Sequence, residues 1–269
     1  MNFRKYFVVK PGKRVHLRDR DPDDTAGWDK DKATEKVLEK NLARLDDLEY
    51  RLAAEHRRAL LIVLQGMDTS GKDGTIRHVM SGLNPQGCRV TSFKEPSAEE
   101  LSHDFLWRIH KAVPPRGEIG IFNRSQYEDV LVVRVHEIVP PSVWSTRFDQ
   151  INAFEELLAE NGVKVLKFFL HISKGEQLER LKARLTDPAK NWKISPADFH
   201  ERKRWDAYVN AYEDALSRCS TKHAPWYMIP ANKKWFRNLA VAQIIVDTLE
   251  EMNPKLPKAA FDLSKIKLK

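Results

Sequence analysis

Residues 59–64, Ala-Leu-Leu-Ile-Val-Leu, form a short apolar run that leads directly into a loop containing Gly66, Gly71 and Lys72. An apolar run of this length is typical of a strand buried on both faces of a parallel sheet. The spacing G-x-x-x-x-G-K lets backbone N–H groups converge on phosphate oxygens, and a helix beginning near Lys72 points its positive end at the same anion. Because a strand precedes the loop and a helical stretch follows it, we predict a phosphate-binding loop rather than an ordinary turn with a solvent-exposed lysine.

The loop carries two acidic residues that depart from the usual pattern. Asp73 follows the lysine, where such loops normally place a Ser or Thr hydroxyl for Mg²⁺, and Asp68 lies inside the loop. A carboxylate beside bound phosphate is unfavourable unless a metal or a proton-transfer role compensates. We therefore predict that Asp68 binds Mg²⁺ or activates the attacking phosphate oxygen, rather than only stabilising the turn. The residues of this loop expected to contact phosphate or nucleotide are Gly66, Thr69, Ser70, Gly71, Asp73 and Gly74.

The rest of the chain alternates strand candidates with helix-like stretches, which lie near 97–112, 125–138, 143–160, 174–185, 196–218 and 234–252. The further strand candidates are 89–93, 119–122, 163–172 and 226–229. This alternation predicts an α/β fold with a mostly parallel, five-stranded sheet and helices on both faces. Before the first strand, leucines recur every three or four residues over 33–57, which predicts an amphipathic helix packed on the core rather than on a partner. The predicted parts are an arm with this long helix (1–56), a core (57–252) and a basic tail (253–269).

The charge balance favours an anionic partner. The formal net charge is +8 and the pI is near 9.3, which suits nucleic acid, anionic lipid or a phosphorylated molecule. Cys88 and Cys219 lack metal-ligand spacing, so we expect a reduced, cytoplasmic protein. No apolar stretch approaches about 18 residues, and the first residues lack the apolar segment of a signal peptide, so neither a membrane span nor a signal peptide is expected.

A second group of charged residues follows the third strand candidate, in the stretch Gly-Ile-Phe-Asn-Arg-Ser-Gln-Tyr-Glu-Asp-Val that ends at Val130. A strand that ends beside the phosphate-binding loop is where nucleotide kinases place Mg²⁺ carboxylates and charge-neutralising arginines. Glu128 and Asp129 are candidate metal ligands, and Arg124 is suited to bidentate phosphate contact. Taken alone, the same residues would fit a solvated helix start.

The motifs GMDTSGKDG and FNRSQYEDV together resemble the second family of polyphosphate kinases, and more narrowly the subgroup that accepts nucleoside mono- and diphosphates. The resemblance runs from about residue 6 to residue 250 and implies a three-layer P-loop kinase core with a helical lid. It also implies catalytic roles for Asp68, Lys72, Arg124 and Arg184, the last as the lid arginine. Asn123 replaces an aspartate of other subgroups, so the resemblance leaves the Mg²⁺ ligands open.

The predicted lid, an insertion at about 182–205, is basic. Residues 180–204 contain eight basic and three acidic side chains, and a Pro-containing break at 186–193 suggests a mobile tip. Closing such a hairpin over a phosphate site would neutralise charge and exclude water. The lid residues expected to bind phosphate, besides Arg184, are Lys190, Lys193 and Arg204.

Two other strand ends supply binding candidates. Lys94 and Glu95 follow the second strand candidate, where an analogous element of thymidylate kinases lies beside the acceptor nucleotide. Lys233, after the fifth strand candidate, is a further phosphate-binding candidate, although an exposed lysine at a helix cap is nearly as good an interpretation.

The resemblance, taken with these features, implies a phosphotransferase that moves the terminal phosphoryl group of inorganic polyphosphate to AMP, ADP, GMP or GDP, reversibly and with Mg²⁺ or Mn²⁺ as cofactor. An ATP-dependent nucleoside monophosphate kinase is the first alternative, and a nucleic-acid-binding module is the second. The basic residues lie near the phosphate-binding loop rather than among stacking aromatics, which disfavours nucleic acid. We expect a homo-oligomer, either a dimer or a tetramer, with no nucleic-acid or membrane partner.

Overall fold

The fold is that of a computed structural model, which describes residues 1–262 and 266. Its sheet has five strands, and all of their pairings are parallel, as predicted. The spatial order is β2-β3-β1-β4-β5. The strands are β1 (Ala59–Gln65), β2 (Cys88–Ser92), β3 (Ile119–Asn123), β4 (Val163–His171) and β5 (Trp226–Pro230).

The central strand β1 is buried at all seven positions, which explains its uninterrupted apolar sequence. β2 is an edge strand and is largely exposed. Because the sheet is parallel, the carboxyl ends of β1 and β3 lie side by side, with Leu64 of β1 opposite Asn123 of β3. The loop after β1 and the charged segment after β3 therefore meet at one edge of the sheet.

Eleven α-helices are assigned within residues 1–262. They are α1 (Phe3–Phe7), α2 (Lys32–Glu55), α3 (Lys72–Val79), α4 (Ala98–Leu101), α5 (Trp107–Ala112), α6 (Glu128–Val135), α7 (Pro141–Glu160), α8 (Lys174–Thr186), α9 (Pro196–Lys203), α10 (Trp205–Arg218) and α11 (Lys234–Met252). In one group α1, α2 and α3 pack on α11, and in the other α6 packs on both α7 and α10. One helix of each group, α11 in the first and α7 in the second, packs on β4.

The long helix α2 packs on α11, as its leucine periodicity predicts. Asp31 caps its first turn by accepting a hydrogen bond from the Thr34 amide at 2.8 Å, and it ends where His56 adopts the left-handed conformation. In the arm before it, Phe3 lies edge-on to Trp28 and Phe236. The arm is therefore part of the packed structure.

Two predicted helices are each divided in the structure. The stretch near 97–112 forms α4 and α5, and the stretch near 196–218 forms α9 and α10, which meet at Arg204. The boundaries predicted for the three parts of the chain stay a prediction, and the basic tail falls partly outside the described residues. Within residues 1–262 and 266, no helix is both long and apolar enough to cross a membrane.

Candidate active site

The phosphate-binding loop joins β1 to α3 and requires glycine at two positions. Gly66 has a φ of 154° and Gly71 a φ of 102°. A Cβ on Gly66 would lie 2.7 Å from the backbone oxygen of Leu170 and from Ser70 Oγ, so no side chain fits there. Thr69 also adopts a positive φ, 62°, which is unfavourable for a β-branched residue. The tight wrapping predicted from the glycine spacing is therefore present, and part of it is strained.

Lys72, the first residue of α3, folds back over this loop. Its Nζ donates to the backbone oxygen of Gly66 at 2.9 Å and lies 3.4 Å from that of Met67. Burial, followed by the positive charge of Arg124, lowers the pKa of Lys72 to about 8, although the carboxylates of Asp68, Glu128 and Asp73 oppose the shift. Lys72 therefore lies close enough to the charged residues of the phosphate-binding loop and of the segment after β3 to interact with them electrostatically.

Several polar atoms of the loop have no hydrogen-bond partner within the described residues. They are Asp68 Oδ2, Thr69 Oγ1 and Ser70 Oγ, all of them buried. A buried polar atom without a partner is costly, and such atoms often mark the place of a ligand, an ion or water. The other loop carboxylate, Asp73, accepts a hydrogen bond from Asn123 Nδ2 at 2.7 Å. Asn123 therefore links the phosphate-binding loop to the end of β3.

Arg124 begins the segment after β3 in an unusual backbone conformation. Its φ is 65°, and its amide donates to the backbone oxygen of Leu64 at 3.1 Å. Its side chain is half-exposed and lies 3.4 Å from Glu128 Oε2. Positive φ in a non-glycine residue is frequently found at functional sites, where the surrounding structure enforces it.

Arg184 joins the predicted lid, 182–205, to the phosphate-binding loop. Its Nη1 donates to the backbone oxygen of Lys193 at 3.0 Å and contacts Asp198 Oδ2 at 3.3 Å, both in the lid. The same nitrogen lies 3.9 Å from Asp68 Oδ2. The four residues to which the sequence assigned catalysis, Asp68, Lys72, Arg124 and Arg184, therefore lie around one place.

Comparison with known proteins agrees with this geometry. The sequence profile described as Polyphosphate kinase 2 (PPK2) matches residues 10–257. The chain belongs to the polyphosphate kinase 2 family. The AMP/ADP-polyphosphate phosphotransferase of Meiothermus ruber is 49% identical to it over 264 residues, which cover 97% of this chain and 98% of that protein.

Two further similarities extend over nearly the whole chain. The ADP-polyphosphate phosphotransferase of Rhodopseudomonas palustris is 46% identical over 266 residues, which cover 94% of this chain and 92% of that one. The crystal structure of polyphosphate kinase 2 from Arthrobacter aurescens TC1 has a TM-score of 0.94 and 44% identity, and the match covers 98% of this chain and 94% of that one. The predicted family and the predicted α/β fold are both confirmed.

The other candidate residues of this polyphosphate kinase 2 chain have different surroundings. Asp129 Oδ1 lies 3.2 Å from Arg147, Asp129 Oδ2 lies 3.9 Å from Arg108, and burial raises the Asp129 pKa to about 6. Its metal-binding role stays a prediction, and these two arginines compete with a metal for its carboxylate. Arg204 donates to the backbone oxygen of Val135 at 3.1 Å, so its guanidinium is tied to the end of α6.

The remaining lysine candidates are exposed. Lys190 pairs with Asp187, Lys193 lies over the ring of Trp192, and Lys233 is the N-cap of α11. Lys94 and Glu95 line a cavity of about 430 Å³ beside β2. In this cavity the Arg108 guanidinium also bonds the backbone oxygen of Lys94 at 2.9 Å.

Sequence reasoning missed Arg180, which braces the phosphate-binding loop. Its Nη1 donates to the backbone oxygens of Thr69 and Ser70 at 2.8 and 3.0 Å. Its Nη2 donates to those of Ala231 and Asn232, at 2.6 and 3.0 Å, in the loop after β5. These four bonds of Arg180 tie the phosphate-binding loop to the loop after β5. In the sequence Arg180 is only one more basic residue just before the predicted lid.

The site suits a divalent ion that is shared with substrate. Within residues 1–262 and 266, no three His, Cys, Asp or Glu side chains are grouped so that they could hold a metal alone. Mg²⁺ usually takes only one or two protein carboxylates and completes its shell with water and substrate phosphates. Asp68, whose buried Oδ2 accepts no hydrogen bond, and Glu128 fit this role.

Proposed function

We propose that this protein transfers the terminal phosphoryl group of inorganic polyphosphate to nucleoside mono- and diphosphates, AMP and ADP as well as GMP and GDP. The observation that supports this most is the convergence of Lys72, Arg124 and Arg184 on the phosphate-binding loop. Three cations around a loop that wraps an anion suit a substrate made only of phosphate. The names of the relatives from Meiothermus ruber and Rhodopseudomonas palustris agree with this donor.

The reaction needs no covalent enzyme intermediate. An oxygen of the acceptor's terminal phosphate forms a bond to the last phosphorus of polyphosphate, and the anhydride bond to the next phosphate breaks. The shortened chain leaves with the bonding electron pair. Since one phosphoanhydride replaces another, the transfer should be reversible.

The protein's part is to position the phosphates and to stabilise charge. The loop N–H groups and the Lys72 ammonium hold the donor phosphates, while Arg124 and Arg184 offset charge on the transferred group. Asp68 and Glu128 would hold the divalent ion, Mg²⁺ or alternatively Mn²⁺, which neutralises charge on phosphate oxygens when bound. Arg184 reaches from the lid to Asp68, so the lid lies where it can exclude water.

The acceptor is proposed to enter through the cavity beside β2. Lys94 and Glu95 line its wall, and Arg108 and Lys111 add positive charge for the acceptor phosphate. The lid lysines Lys190 and Lys193 are proposed to contact the polyphosphate chain. The homo-oligomeric state expected from the sequence stays a prediction.

A direct assay tests the proposal. The purified protein is mixed with Mg²⁺, long-chain polyphosphate and one of AMP, ADP, GMP or GDP, and the nucleotides are resolved by anion-exchange chromatography. We expect ADP and ATP to form from AMP only when polyphosphate is present. Product that appears only with ATP as the donor would instead identify an ordinary nucleotide kinase.

Two lysine variants make the assay specific to the site. Lys72→Ala should abolish transfer with little loss of folding, whereas Lys36→Ala, on the exposed face of α2, should behave as wild type. Full activity in Lys72→Ala would contradict the proposed role of the loop.

A further inference from the structure

Arg237 is a buried arginine that lies against the phosphate-binding loop. It belongs to α11 and is 2% exposed. A Cβ on Gly71 would overlap Arg237 Nη1, and one on Gly74 would lie 3.2 Å from Nη2. The guanidinium therefore occupies the space that glycine leaves free at the first turn of α3, next to the positive end of that helix.

This buried charge has no counter-ion within the described part of the chain. The hydrogen bonds of Arg237 go to the neutral Asn238 Oδ1, at 3.2 Å from Nε and 2.8 Å from Nη2. No described carboxylate oxygen lies within 4 Å of it, whereas the adjacent Arg180 pairs with Glu176 at 2.7 Å. Burial, followed by the charge of Arg180, lowers the Arg237 pKa to about 10. Lys234 lies in the same electrostatic environment and adds further positive charge.

An uncompensated buried charge destabilises a folded protein, because its solvation is lost without a partner to replace it. The cost is offset if an anion binds close by. A phosphate group in the loop would face the loop N–H groups on one side, with the Arg237 guanidinium behind the same turn. The Arg237 charge would therefore interact favourably with phosphate when phosphate is bound, whereas it has no such partner when the loop is empty.

We propose that Arg237 is a positioning residue whose fixed charge, acting through space, increases the affinity of the loop for the donor's phosphate chain. It does not touch the phosphate. The inference rests on the proposed function for the nature of the anion. It also gives a second reason, besides positive φ, why Gly71 carries no side chain.

The role predicts opposite effects of Arg237→Met on the empty and the loaded protein. Methionine fills much of the same space without charge. We expect the melting temperature without ligand to stay the same or rise. The stabilisation by tripolyphosphate should shrink, and its Kd should increase about tenfold, since one nearby charge at intermediate dielectric is worth about that much. In the transfer assay KM for polyphosphate should rise while kcat changes by less than about twofold.

Matched variants separate this role from packing. Arg237→Lys, which keeps the charge, should recover most of the affinity for tripolyphosphate. Arg58→Met removes a partner of Glu55 at the opposite end of β1, so it should lower the melting temperature and leave the tripolyphosphate Kd unchanged.

Two results would overturn the proposal. The first is an Arg237→Met variant that melts at a lower temperature without ligand, yet binds tripolyphosphate as tightly as wild type when it is folded. Arg237 would then be a packing residue. If wild type itself is not stabilised by tripolyphosphate, the loop is not a site for the donor and the proposed function fails first. A failure confined to the variant leaves the proposed function intact, so the two failures are distinguishable.

Discussion

At the residue scale, Lys72 shows how burial can make a binding charge depend on pH. Its ammonium is held by loop carbonyls, and burial lowers its pKa to about 8. Bound phosphate favours the charged form, so binding should raise this pKa and be accompanied by proton uptake near that pH. As pH rises through the pKa of the free protein, the empty site loses the charge that phosphate requires.

We therefore predict that affinity for tripolyphosphate falls about tenfold between about pH 7.5 and about pH 9.5. Calorimetric titrations at several pH values measure it. Lys72→Arg is the control, because arginine stays charged throughout this range and the variant reports any titration of the ligand itself. A wild-type profile that matches the variant's would show that Lys72 does not titrate there.

The sequence could predict those site residues that lie in a recognisable local motif. Asp68, Lys72 and Arg124 lie in contiguous motifs after buried strands, and parallel strands bring such motifs together at one edge. Arg180 and Arg237 carry no such signal. Their importance comes from contacts with a loop more than 100 residues earlier, which no local pattern encodes. The surroundings of Asp129 were equally hidden, because its arginine partners lie on α5 and α7.

At the element scale, a buried ion pair connects α7 and β4 to the segment that carries Arg124. Lys167 and Glu155 are fully buried and paired. Lys167 Nζ also bonds Tyr127 Oη at 2.8 Å, and Gln126 Nε2 donates to Glu155 Oε1 at 3.0 Å. The network therefore anchors the two residues just before α6, close to Arg124 and Glu128.

Removing one partner of this pair should be worse than removing both. Lys167→Met alone leaves Glu155 buried without its cation, and we expect unfolding free energy to fall by about 3–5 kcal/mol. Adding Glu155→Leu should recover most of that loss. Urea unfolding of the two single variants and the double variant forms the thermodynamic cycle. Additive losses would show that the two charges are not coupled.

The elements themselves were largely predictable, and the exceptions have physical causes. Most strands were recognised from apolar runs, even though Lys164 and Lys167 interrupt the run of β4, because their neighbours are strongly apolar. The weakest candidate was β2, which is only partly apolar because it is an exposed edge strand.

The breaks between α4 and α5 and between α9 and α10 were not predicted. The break between α9 and α10 lies at Arg204, whose guanidinium bonds the backbone oxygen of Val135, a residue remote in sequence. Between α4 and α5 the Asp104 side chain accepts a hydrogen bond from the Leu106 amide at 2.9 Å, which is a local signal that was not recognised.

At the scale of the whole molecule, the net charge is +8, and the segment 180–204, where the polyanion is proposed to bind, has a local balance of +5. The lid holds exposed lysines at its tip, and Arg184 lies between the lid and the loop. Long-range attraction between these charges and a polyphosphate chain should speed its capture, and salt should weaken it. AMP carries far fewer charges and is proposed to bind in the separate cavity beside β2.

The two substrates should therefore differ in salt dependence. Between about 50 mM and about 300 mM KCl we expect KM for long-chain polyphosphate to rise more than about tenfold, as for other polyanions that release counter-ions on binding, while KM for AMP changes about twofold or less. Lys193→Ala, which removes one exposed lid charge, should reduce the slope for polyphosphate and leave the slope for AMP unchanged. Only a polyphosphate chain that extends along the lid charges releases counter-ions in proportion to the number of those charges. An equal salt dependence of KM for polyphosphate and for AMP would therefore mean that the lid charges do not contact polyphosphate.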